Sequence, residues 1–366
     1  MRRTRRYVLG LAVVGGLTAL WLALRFGPTF AFSLALAVPG AEPWLAGLAE
    51  RPVHEPITLP GAARPLDADL YRPAQPRSAL LLVHGLSRAG RRHPELGRLA
   101  RLLAERGHVV LVPHFEGLAA FRLSGREVEE IGVALRHLGR SSPRVGILGF
   151  SFGAGPALLA ASRHPDLHVV GSFGGYADLR HVIAYITTGV HTFDGRRYVL
   201  RQEEYNRWKL LALLAEFMEH ARDRALLETI AERKLANSRE PTASLEAALG
   251  DDGQAMLALA LNRREDAVTP LLARLPRSAR QALDDLSPLR VVPRLPGRLL
   301  IAHGTGDASI PFTESLRLAE AAGGRARTAI LRTFHHTGPQ PLWESLSRRT
   351  RDGFDLFRLA DDLLAR

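Results

Sequence analysis

Apolar residues in this chain fall mostly into short unbroken runs, and those runs define the first elements. Residues 79–83 (Ala-Leu-Leu-Leu-Val), 108–113, 145–148, 168–173, 297–302 and 326–334 are too short for helices and rich in Val, Ile and Leu, so each reads as a buried strand. Residues 154–161 follow the third run with small apolar side chains, a packed helix; Pro156 falls in its first turn, where no N–H is needed. Between Tyr176 and Leu295 the strand pattern stops. There Tyr205, Trp208, Leu211, Ala215 and Met218 recur at helical spacing, with Leu210, Leu214, Phe217 and Ala221 beside them and Glu204, Arg207, Lys209 and Glu219 flanking. Further amphipathic helices are expected at 222–235, 244–249, 254–261 and 278–283, punctuated by Pro241, Gly250, Pro270, Pro276 and Pro288. The fold class this predicts is α/β, a mostly parallel central sheet flanked by helices and carrying a large helical insertion.

The candidate chemistry lies just past the strand ends. Gly149-Phe150-Ser151-Phe152-Gly153 stands between the strand at 145–148 and the helix at 154–161. Strand, G-x-S-x-G and helix make a nucleophile elbow, a turn so tight that the positions two residues either side of the serine hold almost no side chain. Serine is a weak nucleophile unless a base takes its proton and an acid orients the base. Asp307 lies in a Gly-rich turn after the strand at 297–302, and His335 and His336 follow the strand at 326–334. The order Ser, acid, His and the position of each just beyond a strand's C-terminal end suit open α/β sheets. Upstream, the strand at 79–83 runs into His84-Gly85-Leu86, which nominates the backbone N–H groups of Leu86 and Phe152 as oxyanion donors.

Together His84-Gly85, the elbow, Asp307 within HGTGDASIP and the final His pair resemble the α/β-hydrolase superfamily, over residues 57–366. The resemblance implies a serine hydrolase of the esterase or lipase kind. Ser151 would attack, His336 would be the base, with His335 the alternative, and Asp307 would orient it. The family's histidine often follows a Gly-containing turn, whereas here the strand leads straight into Phe334-His335-His336. The insertion would be a lid over the active site, with Trp208 or Phe217 lining an apolar acyl or alcohol pocket. The same triad serves acyltransferases and peptidases, and a silent binding protein on this fold is a further reading.

Each candidate has a plainer competitor. Asp307 could simply cap a turn; Asp178, a second possible acid, is expected to be structural, and His84 to shape its loop. No histidine shows metal-ligand spacing, and neither H-E-x-x-H nor a P-loop occurs, so no metal and no cofactor are expected.

Charge and the N-terminus change the picture of setting. The net charge is +12, yet nearly every base is Arg interleaved with acids, which argues against a nucleic-acid partner. Five arginines, Arg2, Arg3, Arg5, Arg6 and Arg25, bracket Tyr7–Leu24, a stretch free of charge. It is just long enough to span a bilayer, and the preceding basic block puts the N-terminus in the cytoplasm and the rest outside. An exported and cleaved form is the alternative, through a faint twin-arginine pattern at residues 4–9 or the distant Ala35-Leu36-Ala37. The absence of Cys excludes disulfides without assigning a compartment. The expected organisation is 1–25 basic segment and transmembrane helix, 26–56 linker or interfacial segment, 57–178 first part of the core, 179–294 lid and 295–366 second part of the core. The expected partners are a small-molecule ester, apolar in character, and the membrane; oligomeric state is left open.

Overall fold

The computed structural model describes residues 2–45, 51–61, 64–332, 334–335, 338–339 and 346–364. Its centre is an eight-stranded sheet of β1 (Val53–Leu59), β2 (Leu66–Arg72), β3 (Ser78–Val83), β4 (His108–Pro113), β5 (Val145–Phe150) and β6 (Val169–Phe173), completed late in the chain. A separate hairpin, β7 (Val190–Phe193) and β8 (Arg196–Val199), intervenes before β9 (Arg298–Gly304) and β10 (Ala326–Leu331) return to the sheet. The order is β1-β2-β4-β3-β5-β6-β9-β10. β1 and β2 are antiparallel to their neighbours, and the remaining strands run parallel. All six expected strands are present. The two antiparallel ones escape a search for apolar runs because β1 is mostly exposed and β2 carries Asp67 and Asp69 among its apolar positions.

Period-two alternation divides the core into two layers. Leu81, Val83, Leu111 and Ile147 face one side, where they meet α5 (Gly125–Ser141) and α6 (Ala154–Ala161). Leu80, Leu82, Val110 and Leu148 face the other, packed with α1 (Arg2–Ala37), α3 (Pro94–Ala104) and α15 (Leu346–Leu364). Local signals set the helix ends: Ser124 and Glu127 close a capping box on α5. The short α2 (Glu42–Leu45) and α4 (Glu116–Ala119) complete the first half of the core.

Between β6 and β9 the chain builds an insertion. It begins with α7 (Leu179–Thr188), capped by Asp178, and turns through β7–β8 at Asp194-Gly195, both left-handed. Asp-Gly between short β-branched and aromatic runs is a hairpin signal, so the insertion is not wholly helical as its pattern suggests. It continues with α8 (Glu204–Ala215), α9 (Ala221–Ala236), α10 (Ala243–Ala247), α11 (Asp251–Leu261), α12 (Val268–Ala273) and α13 (Arg277–Asp285). Arg207, expected on a solvated flank, is buried; its guanidinium donates to the carbonyls of Ala260, Asn262 and Thr187, which holds three segments of the insertion together.

The two ends of the insertion are tied at one place. Tyr176 Oη donates to Leu286 O at 3.0 Å, Leu289 N to Ala177 O at 3.1 Å and Leu179 N to Ser287 Oγ at 3.0 Å. Glu314, fully buried on α14 (Phe312–Ala322), accepts from the N–H groups of Ala177 and Asp178 at 3.0 and 2.8 Å and from His181 and Arg317. A buried carboxylate is tolerated only with such a full set of donors.

Helix α1 does not end at Arg25 or at Pro28. Its second half docks on the domain: Phe32 and Ala35 are buried against α3 and α15. Arg25 pairs with Asp361 at 2.6 Å, Thr29 Oγ1 donates to Asp361 at 3.0 Å, and Arg98 donates to the terminal carbonyls of Ala35 and Leu36. The Arg25 pairing holds the Asp361 carboxyl below its usual range. Residues 26–37, read from sequence as the start of a linker or interfacial segment, continue the helix. Val14–Ala37 is long and apolar enough to cross a membrane, and Leu17, Leu20, Trp21 and Leu24 are exposed.

Replacing Glu314 with Ala leaves two backbone N–H groups without an acceptor and is expected to cost about 2–4 kcal/mol. Glu314→Gln, which keeps one acceptor, should fall between that variant and wild type in urea melts.

Candidate functional site

β5 ends at Phe150 and α6 begins at Ala154, so three residues must reverse the chain. Ser151 does so in the left-handed region, at φ 51°. For a residue with a Cβ this costs of order 1–3 kcal/mol and persists only where the surroundings enforce it. They do. A Cβ at Gly149 would stand 2.5 Å from Ala154 Cα, and one at Gly153 would stand 2.1 Å from His84 O. A Cβ at Gly85 would come within 2.7 Å of Ser151 Cβ and 3.3 Å of its Oγ. The elbow and the loop after β3 therefore interlock, and Gly85, which begins the Gly85-Leu86 peptide, lies against the side chain of Ser151.

His84 fixes the direction of that peptide. Phe115 N–H donates to His84 Nε2 at 3.0 Å, so the ring carries its proton on Nδ1 and donates to Gly85 O at 2.8 Å. In a trans peptide the next N–H points opposite to the carbonyl; the Leu86 N–H is thereby turned away from His84. Leu86 and Phe152 line one small cavity with Ile186, Asn206, Lys209, Leu210, Leu213 and Ser309, with room for about one water. Burial pushes the His84 pKa down to about 4, with His114 and His93 adding to the effect against the bond to Gly85. The ring is neutral at pH 7, as its accepted hydrogen bond requires.

Asp307 lies two strands away, past the end of β9. It is 2% exposed, and its Oδ1 accepts from the N–H groups of Ser309 and Ile310 at 2.8 and 3.0 Å. Oδ2 stands 3.3 Å from His303 Nε2. A Cβ at Gly174, left-handed at the end of β6, would lie 3.6 Å from that oxygen. The insertion braces the turn from above: Tyr185 Oη donates to Asp307 O at 2.6 Å, and Asn206 Nδ2 to Ala308 O at 2.9 Å. Asp178, by contrast, caps α7 by accepting from Arg180 N.

His336 lies outside the described residues, as does the side chain of His335. The backbone of Phe334–His335 pairs antiparallel with Gly338–Pro339, directly after β10. The structure thus brings Ser151, Phe152 and Leu86 together and puts Asp307 at the same edge of the sheet. Trp208 and Phe217 do not line the cavity; both are 6% exposed and packed in the insertion's own core. The α8 residues that do line it are Asn206, Lys209, Leu210 and Leu213. Asn206 and Tyr185 carry no motif, His303 opens the HGTGDASIP segment without being singled out by it, and Lys209 resembles a solvated flank when read by helical spacing. Among the described residues no three His, Asp or Glu side chains gather as a metal-holding group.

The strand order, the elbow and the loop after β3 make this an α/β-hydrolase fold. No family model and no curated protein matches the chain. Solved structures similar to it include an acylaminoacyl peptidase of Pyrococcus horikoshii, at 14% identity and TM-score 0.48, covering 87% of this chain and 41% of that one. Two others are the esterase domain of a Rhodothermus marinus protein, at 16% identity and TM-score 0.45, and an alpha/beta hydrolase from Penicillium sp. sh18, at 15% and 0.49. They cover 86% and 84% of this chain and 97% and 98% of theirs. The chain thus spans under half of the peptidase and nearly all of the other two. At these identities and scores the likenesses say nothing of substrate.

Because folding lowers the His84 pKa from 6.5 to about 4, the unfolded chain binds more protons between those values. Stability should therefore fall as pH drops through that window, by up to about 3 kcal/mol from this group alone. His84→Gln should show a shallower loss over the same interval in thermal melts.

Proposed function

We propose that this chain, an α/β-hydrolase in fold, is a serine hydrolase of carboxylic esters held at a membrane by helix α1. The observation that carries the chemistry is Ser151, strained at φ 51° at a strand end, with Gly85 close against its side chain.

The mechanism has two halves. Ser151 Oγ attacks the ester carbonyl while His336, or His335 in its place, takes the hydroxyl proton. Asp307 orients that imidazole and stabilises its charged form. The carbonyl oxygen becomes an oxyanion held by the N–H groups of Phe152 and Leu86, and loss of one such donor typically costs about 10²–10³ in kcat. Collapse expels the alcohol, which takes the proton from the histidine and leaves an acyl-serine. Water, deprotonated by the same histidine, then releases the acid and restores Ser151. An alcohol or amine acceptor in place of water would make the enzyme a transferase, and product analysis separates the two.

The inner cavity supports an ester with apolar parts, since Leu86, Phe152, Ile186, Leu210 and Leu213 give it a mainly apolar wall. A cleft of about 410 Å³ between the insertion and the core, lined by Arg88, Glu116, Arg122, Glu228 and Glu232 as well as Phe121, Ala212 and Leu235, has a volume suited to a small-molecule ligand. The insertion supplies one wall of each and so acts as the lid. For the membrane, the exposed apolar part of α1 spans the bilayer, the basic block holds the N-terminus in the cytoplasm, and the catalytic domain lies outside.

A fluorophosphonate probe should label Ser151 of the wild type and leave Ser151→Ala unlabelled. Asp307→Asn and one of His335→Ala or His336→Ala should lower labelling and ester turnover by at least about 10³; absence of labelling in the folded wild type would sink the reading. Removing residues 1–24 should move the protein from the membrane to the soluble fraction with its labelling intact. Removing 1–37 also takes away Phe32 and should cost a further 2–3 kcal/mol or so of stability in urea melts.

A further inference from the structure

Lys209 is a cation held next to the proposed oxyanion site without an anion of its own. It lies on α8 and lines the inner cavity together with Leu86 and Phe152. Its ammonium group faces the rings of Tyr205 at 5.1 Å and Phe121 at 6.0 Å. Among the described residues it forms no ion pair and no hydrogen bond, although the chain forms many of both with its arginines. Two aromatic faces offset only part of the loss of hydration around an ammonium group.

The surroundings bear this out. Desolvation lowers the Lys209 pKa, against the opposing fields of Asp307 and Glu203. Phe121, whose ring stands near the ammonium, is one of three non-glycine residues in the left-handed region among the described residues, at φ 59°. It is nearly buried and is flanked on its other face by Arg88 at 5.9 Å. Strain of this kind collects at ligand clamps. Phe121 also forms part of the wall of the 410 Å³ cleft, so the lysine that lines the inner cavity has a neighbour on the cleft wall. The outer cleft is mixed in charge, Arg88 and Arg122 against Glu116, Glu228 and Glu232, and does not itself select an anion. Selection falls to the inner position. Lys209 lines the inner cavity beside Leu86, Ile186, Leu210 and Leu213, and that cavity, with room for about one water, takes only a single small polar end group of a substrate.

We propose that Lys209 is a specificity-determining residue that receives a carboxylate of the substrate, so that the preferred esters are monoanionic, with the carboxylate a few bonds from the scissile carbonyl. This deepens the serine-hydrolase reading and rests on it. The carboxylate belongs to the acyl part if the inner cavity is the acyl site, and to the alcohol part if it is the leaving-group site.

The test compares matched pairs on the full-length, detergent-solubilised protein. For the acyl side the pair is the 4-nitrophenyl monoester of glutaric acid against 4-nitrophenyl valerate; for the alcohol side it is 4-acetoxybenzoate against phenyl acetate. In one pair the anionic ester should have the higher kcat/KM. Lys209→Met, which keeps the apolar stem, should lower that value about 10- to 100-fold, as expected for a lost charged hydrogen bond, while the neutral ester changes less than about threefold. Free glutarate should slow fluorophosphonate labelling of wild-type Ser151, and pentanamide should not; this arm needs no variant and stands if Lys209→Met fails to fold. Ser151 labelling with no preference in either pair and no protection by glutarate overturns the role of Lys209 and leaves the hydrolase intact. Equal losses for anionic and neutral esters in Lys209→Met overturn it too. No labelling of the folded wild type overturns both.

Discussion

The site depends on a close approach of backbone that only glycines permit. Ser151 can hold a left-handed conformation only because Gly149 lets α6 approach β5, and because Gly153 and Gly85 let the elbow close on the loop after β3. Each of those contacts is closer than any Cβ tolerates. The result couples two functions in one piece of packing: the strain that presents the hydroxyl also fixes its distance from the Gly85-Leu86 peptide. His84 supplies the remaining degree of freedom. A neutral, buried imidazole that accepts from Phe115 and donates to Gly85 sets which way that peptide turns, and a charged imidazole could not accept the first bond.

The insertion belongs to the same unit as the core. Its ends are pinned by Glu314, Tyr176 and Ser287, whose partners are backbone groups that would otherwise be buried without hydrogen bonds. From there α7 and α8 reach the acid turn through Tyr185 and Asn206. An insertion fixed to the Asp307 turn by direct hydrogen bonds transmits its position to that carboxylate. Lys209 lies on the same helix as Asn206, so whatever occupies the inner cavity acts on a helix already bound to that turn.

Helix α1 joins setting to fold. Its stretch Val14–Leu24 is apolar and exposed, while its second half is a packed helix of the domain, closed by Arg98 on its terminal carbonyls and by the Arg25–Asp361 pair at its middle. With no flexible break in α1 between the two halves, the domain is carried close to whatever surface receives the first half.

Much of this was legible in the chain. Continuous apolar runs located β3, β4, β5, β6, β9 and β10, because strands covered on both faces must be apolar throughout. G-x-S-x-G located the elbow, because few residue types survive its geometry. The helices of the insertion showed through their spacing, and the hairpin's Asp194-Gly195 lay open to the same reading. Tertiary structure alone decided the rest. Whether Lys209 is solvated or faces a cavity, whether Trp208 lines that cavity or packs away from it, and whether Arg207 is a flank or a buried clasp all depend on which neighbours the fold brings to α8. A helical stripe gives the direction of a side chain about its own axis, and only the packing of distant segments gives what it meets there.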